Sequence, residues 1–260
     1  MCWKWFKNLF GGSTVNPPTW EHAPKVALSF GINNYPGGQN DLNGCINDVE
    51  LVVERLPEFQ IRKFKDEEVT VGNTVNQIEY VIGNAVENDI ILIHYSGHGT
   101  YVEDKNGDEI DGYDEALYLY DGVLTDDKMN EMLQKIPAGV TVALLLDSCF
   151  SGTATRNPHK IRFMPPTFER KEHLRIKRGW YEDMKWIVIS GCGENQTSAD
   201  ALINGKYNGA FTYFAMFTLN RTMTYQTWFN KIREFLPSRD FDQAPTLEGN
   251  SDLINKQVLI

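Results

Sequence analysis

The 260-residue chain holds only four cysteines, Cys2, Cys45, Cys149 and Cys192, and no two of them form a CxxC pair. This scatter argues against a disulfide framework and a zinc knuckle. No secretory leader is recognisable, so a reducing, cytoplasmic setting is expected. Positive charge is also short, with 25 Lys and Arg against 35 Asp and Glu and a formal net charge of −10. A nucleic-acid-binding face needs the opposite balance, whereas an acidic surface suits cationic peptide segments. No apolar run approaches the roughly 20 residues of a membrane span. The aromatic start, Met1–Phe10, is too short to cross a bilayer and reads as a tail packed on its own domain or as an amphipathic contact with a membrane or partner. Internal repeats and low-complexity tracts are lacking as well. What is present, 42% hydrophobic and 12% aromatic residues, suffices for one elaborated domain over residues 25–260, behind a tail and linker over residues 1–24.

Short β-branched runs bounded by glycine-rich turns mark buried strands at Lys25–Ile32, Asp89–Ile93, Thr141–Leu146 and Trp186–Ile189, with a further strand over Gln60–Phe64. Helical spacing of Ile46, Val49, Leu51, Val52, Val53 and Leu56 predicts a helix that Pro57 stops. Thr74 is expected to cap the next helix, with Ile78, Val81, Ile82 and Val86 on its buried face. The order is β-α-β-α-β. Leu117–Tyr120 alternates like a hairpin arm, Asp126–Ile136 follows a Thr125 cap, and two helices are expected over Gly209–Leu219 and Thr224–Leu236.

Two of these strands end in segments that carry chemistry, His94-Tyr95-Ser96-Gly97-His98-Gly99 and Asp147-Ser148-Cys149-Phe150-Ser151-Gly152. Ligand crevices of open α/β sheets lie outside the carboxyl ends of the strands, which would bring His98 and Cys149 to one edge. A thiol is a poor nucleophile until ionised, so a nearby imidazole that takes its proton is what the chemistry needs. The N–H groups of Gly99 and Cys149 are candidate oxyanion donors. Taken singly, a buried cysteine reads as a small hydrophobe and a histidine after a strand as a hydrogen-bonded one; His94 keeps that structural reading. Together, in matching turns and 51 residues apart, His98 and Cys149 point to catalysis, since caspases separate theirs by about 50. The caspase signature around the cysteine is absent, no G-x-S-x-G elbow is present, and no Asn or Asp that would orient the histidine is identifiable.

These two segments, with Gly31–Tyr35, Cys45–Asp48, Asp111–Glu115, Thr125–Asp127, Ser190–Cys192, Gln196–Asp200 and Gly209–Thr212, resemble those of metacaspases, in the caspase-like clan of cysteine peptidases, of the compact bacterial or phage type. The resemblance runs from Lys25 to the C-terminus. It implies an α/β caspase-like (caspase-hemoglobinase) fold with a mostly parallel central sheet flanked by helices, His98 and Cys149 as the dyad, and cleavage after arginine or lysine. Asp48 and Asp147, which by residue type alone read as a helix-surface and a turn carboxylate, become the acidic pocket; Cys45 lines the same region, and Ser198 and Asp200 border the cleft. Two carboxylates suit a guanidinium and repel an acidic side chain.

Metacaspases need no cofactor for the chemistry, but many bind calcium at aspartates away from the dyad. The acidic stretch Asp104, Asp108, Glu109, Asp111, Asp114, Glu115, Asp126, Asp127 offers oxygen donors, with Asp126 and Asp127 foremost and Asp111 and Asp114 beside them. It lacks the EF-hand pattern, and a solvated acidic hairpin explains such a run equally. Thr153-Ala154-Thr155-Arg156 also stands where calcium-binding relatives carry an aspartate. Phe150 replaces a histidine common in the family. Residues 153–178 have no periodic pattern and collect Arg156, Lys160, Arg162, Arg170, Lys171, Arg175, Lys177 and Arg178, so a flexible loop is expected that is either a solvated insertion or an autolysis target. The expected partners are Arg- or Lys-bearing peptides and proteins, with a regulatory protein left open; metacaspases resemble monomers. A catalytically silent caspase-like scaffold and a calcium-responsive binding module are the competing readings.

Overall fold

The computed structural model describes residues 21–104, 107, 112–149, 160–166, 183–192 and 198–260. Residues 1–20 of the N-terminal tail and linker, Asp108, Glu109, Asp111, Phe150 and most of the basic stretch lie outside the described residues. In chain order the elements are β1 (Lys25–Gly31), α1 (Cys45–Arg55), β2 (Gln60–Lys65), α2 (Val71–Asn84), β3 (Ile90–Ser96), β4 (Gly99–Glu103), β5 (Tyr113–Tyr118), β6 (Val123–Thr125), α3 (Asp126–Leu133), β7 (Thr141–Asp147), β8 (Lys160–Ile161), β9 (Trp186–Ser190), β10 (Ala199–Ile203), β11 (Lys206–Gly209), α4 (Ala210–Thr218), α5 (Tyr225–Ile232), β12 (Thr246–Glu248) and α6 (Ser251–Ile254).

The apolar runs line up as one sheet in the order β12-β9-β7-β3-β1-β2, parallel throughout except for β12. Strands covered on both faces have no solvent side, so they are apolar at successive positions instead of alternating. Leu28, Phe30, Ile91, Ile93, Val142 and Leu144 belong to one core with Ile78 and Val81 of α2 and Met129 and Met132 of α3. Ala27, Ile90, Leu92, Ala143 and Leu145 belong to the other, with Val52 of α1, Phe211 of α4 and Trp228 of α5. The result is the expected helix–sheet–helix sandwich. Its register sets up the site: Ser96, the last residue of β3, pairs with Asp147, the last of β7. His98 and Cys149 each lie two residues beyond that flush edge. Two small sheets, β4-β5-β6 and β8-β10-β11, complete the fold.

Two local expectations are corrected. Helix α2 starts one turn earlier than Thr74, capped by Thr70, whose hydroxyl accepts from Asn73 N at 3.2 Å. Thr74 lies inside the helix, buried, with an unpartnered hydroxyl; Val86 lies past the helix end and is 53% exposed. Both residues at 70 and 74 can cap, and only the chain entering from β2 decides between them. The basic stretch is not a solvated loop where it is described: Lys160 and Ile161 form a strand on β10, and Arg162 is 0% exposed.

Thr70→Ala should cost about 1 kcal/mol of unfolding free energy, the usual worth of a cap, in a urea titration. Thr74→Val, which removes a buried unbonded hydroxyl, should leave stability unchanged or slightly higher.

Candidate active site

His98, in the loop after β3, is held by Tyr35, Tyr95 and Asn40. Its N–H donates to Tyr35 Oη at 2.8 Å, its carbonyl accepts from Tyr95 Oη at 2.8 Å, and its ring packs against Tyr35 at 4.7 Å between centroids. Nε2 lies 2.7 Å from the Asn40 carbonyl. A carbonyl can only accept, so Nε2 carries the hydrogen and Nδ1 keeps its lone pair. Nδ1 is buried with no partner in good hydrogen-bond geometry, and the Arg162 backbone is the ring's second polar neighbour after Asn40. Burial pulls the imidazole down to about 4, with the Asn40 bond opposing, so the ring is neutral at pH 7. The orienter that no side chain in the sequence supplied is thus a main-chain carbonyl. Across from it, Cys149 Sγ accepts the Ser198 N–H, lies 3.7 Å from the Ser198 carbonyl and contacts the Cys192 thiol, itself donating to Ser148 O at 3.2 Å. The thiol and imidazole share an edge without being hydrogen-bonded to each other.

Between them runs the segment around Arg162. Its carbonyl accepts from Gly99 N at 3.0 Å and Cys149 N at 3.1 Å, the two expected oxyanion donors. Its guanidinium enters a fully buried acidic pocket. Nη2 is 2.9 Å from Asp48 Oδ2 and 3.2 Å from Asp200 Oδ1, while Nη1 is 2.6 Å from Ser96 Oγ and 3.4 Å from Asp147 Oδ1. Burial alone would push this guanidinium down; Asp147, Cys45, Asp48 and Asp200 outweigh it and hold it above its ordinary value.

Each carboxylate is also tied to the frame. Asp48 accepts from Gly209 N, Asn208 Nδ2 and Ser96 Oγ, Asp147 from Thr212 N, Thr212 Oγ1 and Ser198 Oγ, and Asp200 from Asn43 N and Gly44 N. Burial, then Asp147, push Asp48 up, to about 6 even with Arg162 opposing. Cys45 lies beside the pocket, its thiol pushed up by burial.

Every expected pocket residue therefore converges. Asp200 and Ser198, expected only at the cleft border, are deeper in the site than that: Asp200 contacts the guanidinium directly, and Ser198 supports both Asp147 and Cys149. Ser96, Asn208, Gln243, which bonds Ala199 N and Gly191 O, and the backbone of Gly209 were not legible. Ser96 alone had a signal, its place between two histidines at a strand end. His94 is clamped between Ser29 Oγ at 2.8 Å and Thr212 Oγ1 at 3.2 Å, and burial pulls it down to about 4. It braces Thr212 behind Asp147.

The described part of the acidic stretch does not converge likewise. Asp126 and Asp127 sit in the first turn of α3, favourable places for negative charge, and Asp114 is buried on β5. Among the described residues no group of three His, Cys, Asp or Glu side chains could hold a metal ion. Asp108, Glu109 and Asp111 of the same stretch lie outside them. No described helix is long and apolar enough to cross a membrane.

A thiol and a neutral imidazole at one sheet edge, two N–H groups on one carbonyl and a side-chain pocket beside them are the parts of a cysteine peptidase. The family model described as the caspase domain matches residues 24–253. The chain is 31% identical to metacaspase-1 of Pyricularia oryzae over 90% of its length and 74% of the relative's. It is also 31% identical to metacaspase-2 of Arabidopsis thaliana, over 84% of its length and 57% of that protein's. A crystal structure of a Geobacter sulfurreducens protein superposes with a TM-score of 0.72 at 27% identity, covering 90% of this chain and 98% of that one. Caspase-1 of Spodoptera frugiperda shares the fold, at a TM-score of 0.62 and 13% identity over 93% of this chain and 94% of that one. The chain belongs to the caspase-domain family of cysteine peptidases, and is metacaspase-like within it.

Two outcomes test the pocket. A methyl group at Gly209 would come within 2.5 Å of Arg162 Nη1 and closer still to Asp147, so Gly209→Ala should lower kcat/KM at least tenfold on the arginyl substrates proposed below. Asp48 attracts a cation only when ionised, so acidification through about pH 6 should raise KM, while neutral His98 lets kcat persist towards pH 5; Asp48→Asn should remove that KM inflection.

Proposed function

We propose that this chain is an endopeptidase that cuts after arginine or lysine through Cys149 and His98, and that its own Arg162–Phe163 bond is its first substrate. The observation that carries this reading is Arg162 itself, with its guanidinium among Asp48, Asp147 and Asp200 and its carbonyl on Gly99 N and Cys149 N. That is where a substrate's side chain and scissile carbonyl belong. Three carboxylates facing one guanidinium leave an excess of negative charge, which favours a cation and rejects an aspartyl or glutamyl side chain.

For the reaction, Cys149 Sγ turns from Ser198 towards His98, and Nδ1 takes its proton. The thiolate adds to the Arg162 carbonyl carbon while Gly99 N–H and Cys149 N–H hold the oxyanion. The C–N bond to Phe163 breaks as His98 returns the proton to the leaving amine, forming a thioester. Water, deprotonated by His98, then releases the Arg162 carboxylate and the Cys149 thiol. No step uses a metal. In the resting arrangement the occupied pocket and the thiol turned to Ser198 keep the site closed to other substrates, so autolysis precedes cleavage in trans.

Purified chain should separate into residues 1–162 and 163–260 by intact mass, with further cuts confined to Arg and Lys. Coumarin amides of Arg and Lys should be hydrolysed, and the Asp amide should not. Cys149→Ala should abolish both activities, and Arg162→Ala, which empties the pocket, should abolish the cut at 162 and leave amide hydrolysis that no longer waits for it. Hydrolysis that survives Cys149→Ala, or that prefers Asp, overturns the reading. A folded wild type inert on every amide favours the silent scaffold. Matched samples with calcium or chelator decide whether the ion regulates turnover.

A further inference from the structure

The segment that fills the site also displays the far side of the cut. Before Arg162, Ile161 and Lys160 pair antiparallel with Ala199 and Asp200 of β10. After it, Phe163 pairs parallel with Gly99 of β4, where Gly99 N–H donates to Arg162 O at 3.0 Å and Gly99 O accepts from Met164 N at 2.9 Å. The peptide thus adds as a strand to two different sheets, held by main-chain bonds that any sequence can make; selectivity must come from alternate side chains.

On β4 the two-residue period puts Gly99 and Tyr101 on one face. Gly99 has no side chain, and the Phe163 ring meets Tyr101, stacked at 6.0 Å between centroids and 25° between planes. Tyr101 is itself fixed by the edge of Tyr113 at 5.5 Å, its diagonal neighbour on β5. The first residue after the cut therefore lies on a braced aromatic shelf.

Resting on the proposed cleavage after arginine, we propose that Tyr101 reads the residue that follows the cut and favours an aromatic one there. The test uses the full chain, an arginyl coumarin amide, which has no residue after the bond, and quenched peptides with Ile-Arg followed by Phe, Ala or Asp. The wild type should cleave the Phe peptide roughly three- to tenfold faster in kcat/KM than the Ala peptide, the range expected of one aromatic pair. Tyr101→Ala should bring that ratio to within about twofold, and Tyr101→Phe should retain it. A ratio within one variant is independent of how much of it is active. Should Tyr101→Ala be inert on the coumarin amide, Tyr101→Leu against Tyr101→Phe carries the same comparison. A flat wild-type ratio, or a preference that survives loss of the ring, overturns the assignment while coumarin hydrolysis still upholds cleavage after arginine. An uncut coumarin amide overturns both.

Discussion

Three buried carboxylates around one guanidinium are the constraint on which the site depends. Desolvating four charges is costly, and removing one member of such a set typically costs about 3–5 kcal/mol because the remainder stay buried. This pocket meets that cost from the frame. Gly209 N and Asn208 hold Asp48, Thr212 and Ser198 hold Asp147, and Asn43 N and Gly44 N hold Asp200. The negative charge is fixed in place by groups other than the arginine, so the pocket is preorganised for a cation. Asp48, held up to about 6 with Arg162 present, marks where the excess charge is least comfortable.

The same cluster ties the small sheets to the large one. Asp48 comes from α1, Ser96 and Asp147 from the ends of β3 and β7, Asp200 from β10 and Gly209 from β11. Their meeting point is set by the flush Ser96–Asp147 register, which also fixes how far His98 and Cys149 reach beyond the sheet. Backbone groups do much of the positioning here. A carbonyl at Asn40 selects the tautomer of His98, and two N–H groups cradle the Arg162 carbonyl.

Strand-ending turns with distinctive side chains were legible, since a buried parallel strand is a short apolar run and a glycine-rich turn announces its end. The helix-capping threonine was not, because Thr70 and Thr74 carry the same hydroxyl one turn apart. Asp48 and Asp200 were legible only through resemblance: a carboxylate on an amphipathic helix or on a strand looks the same whether it faces water or a guanidinium. Ser96 and the Gly209 N–H left almost no mark, as small residues and backbone groups are common to every strand end.

The sequence by itself determined the sheet's apolar strands, the histidine and cysteine that follow two of them, and the acidic surplus of the chain. Only the tertiary structure placed Arg162 among three buried carboxylates. Arg162 and Asp48 are 114 positions apart, and nothing in the local pattern of either marks it out from other charged residues of the sequence. Ion pairs have no periodicity to read; they exist only once parallel strands and the two small sheets have brought their partners to one edge.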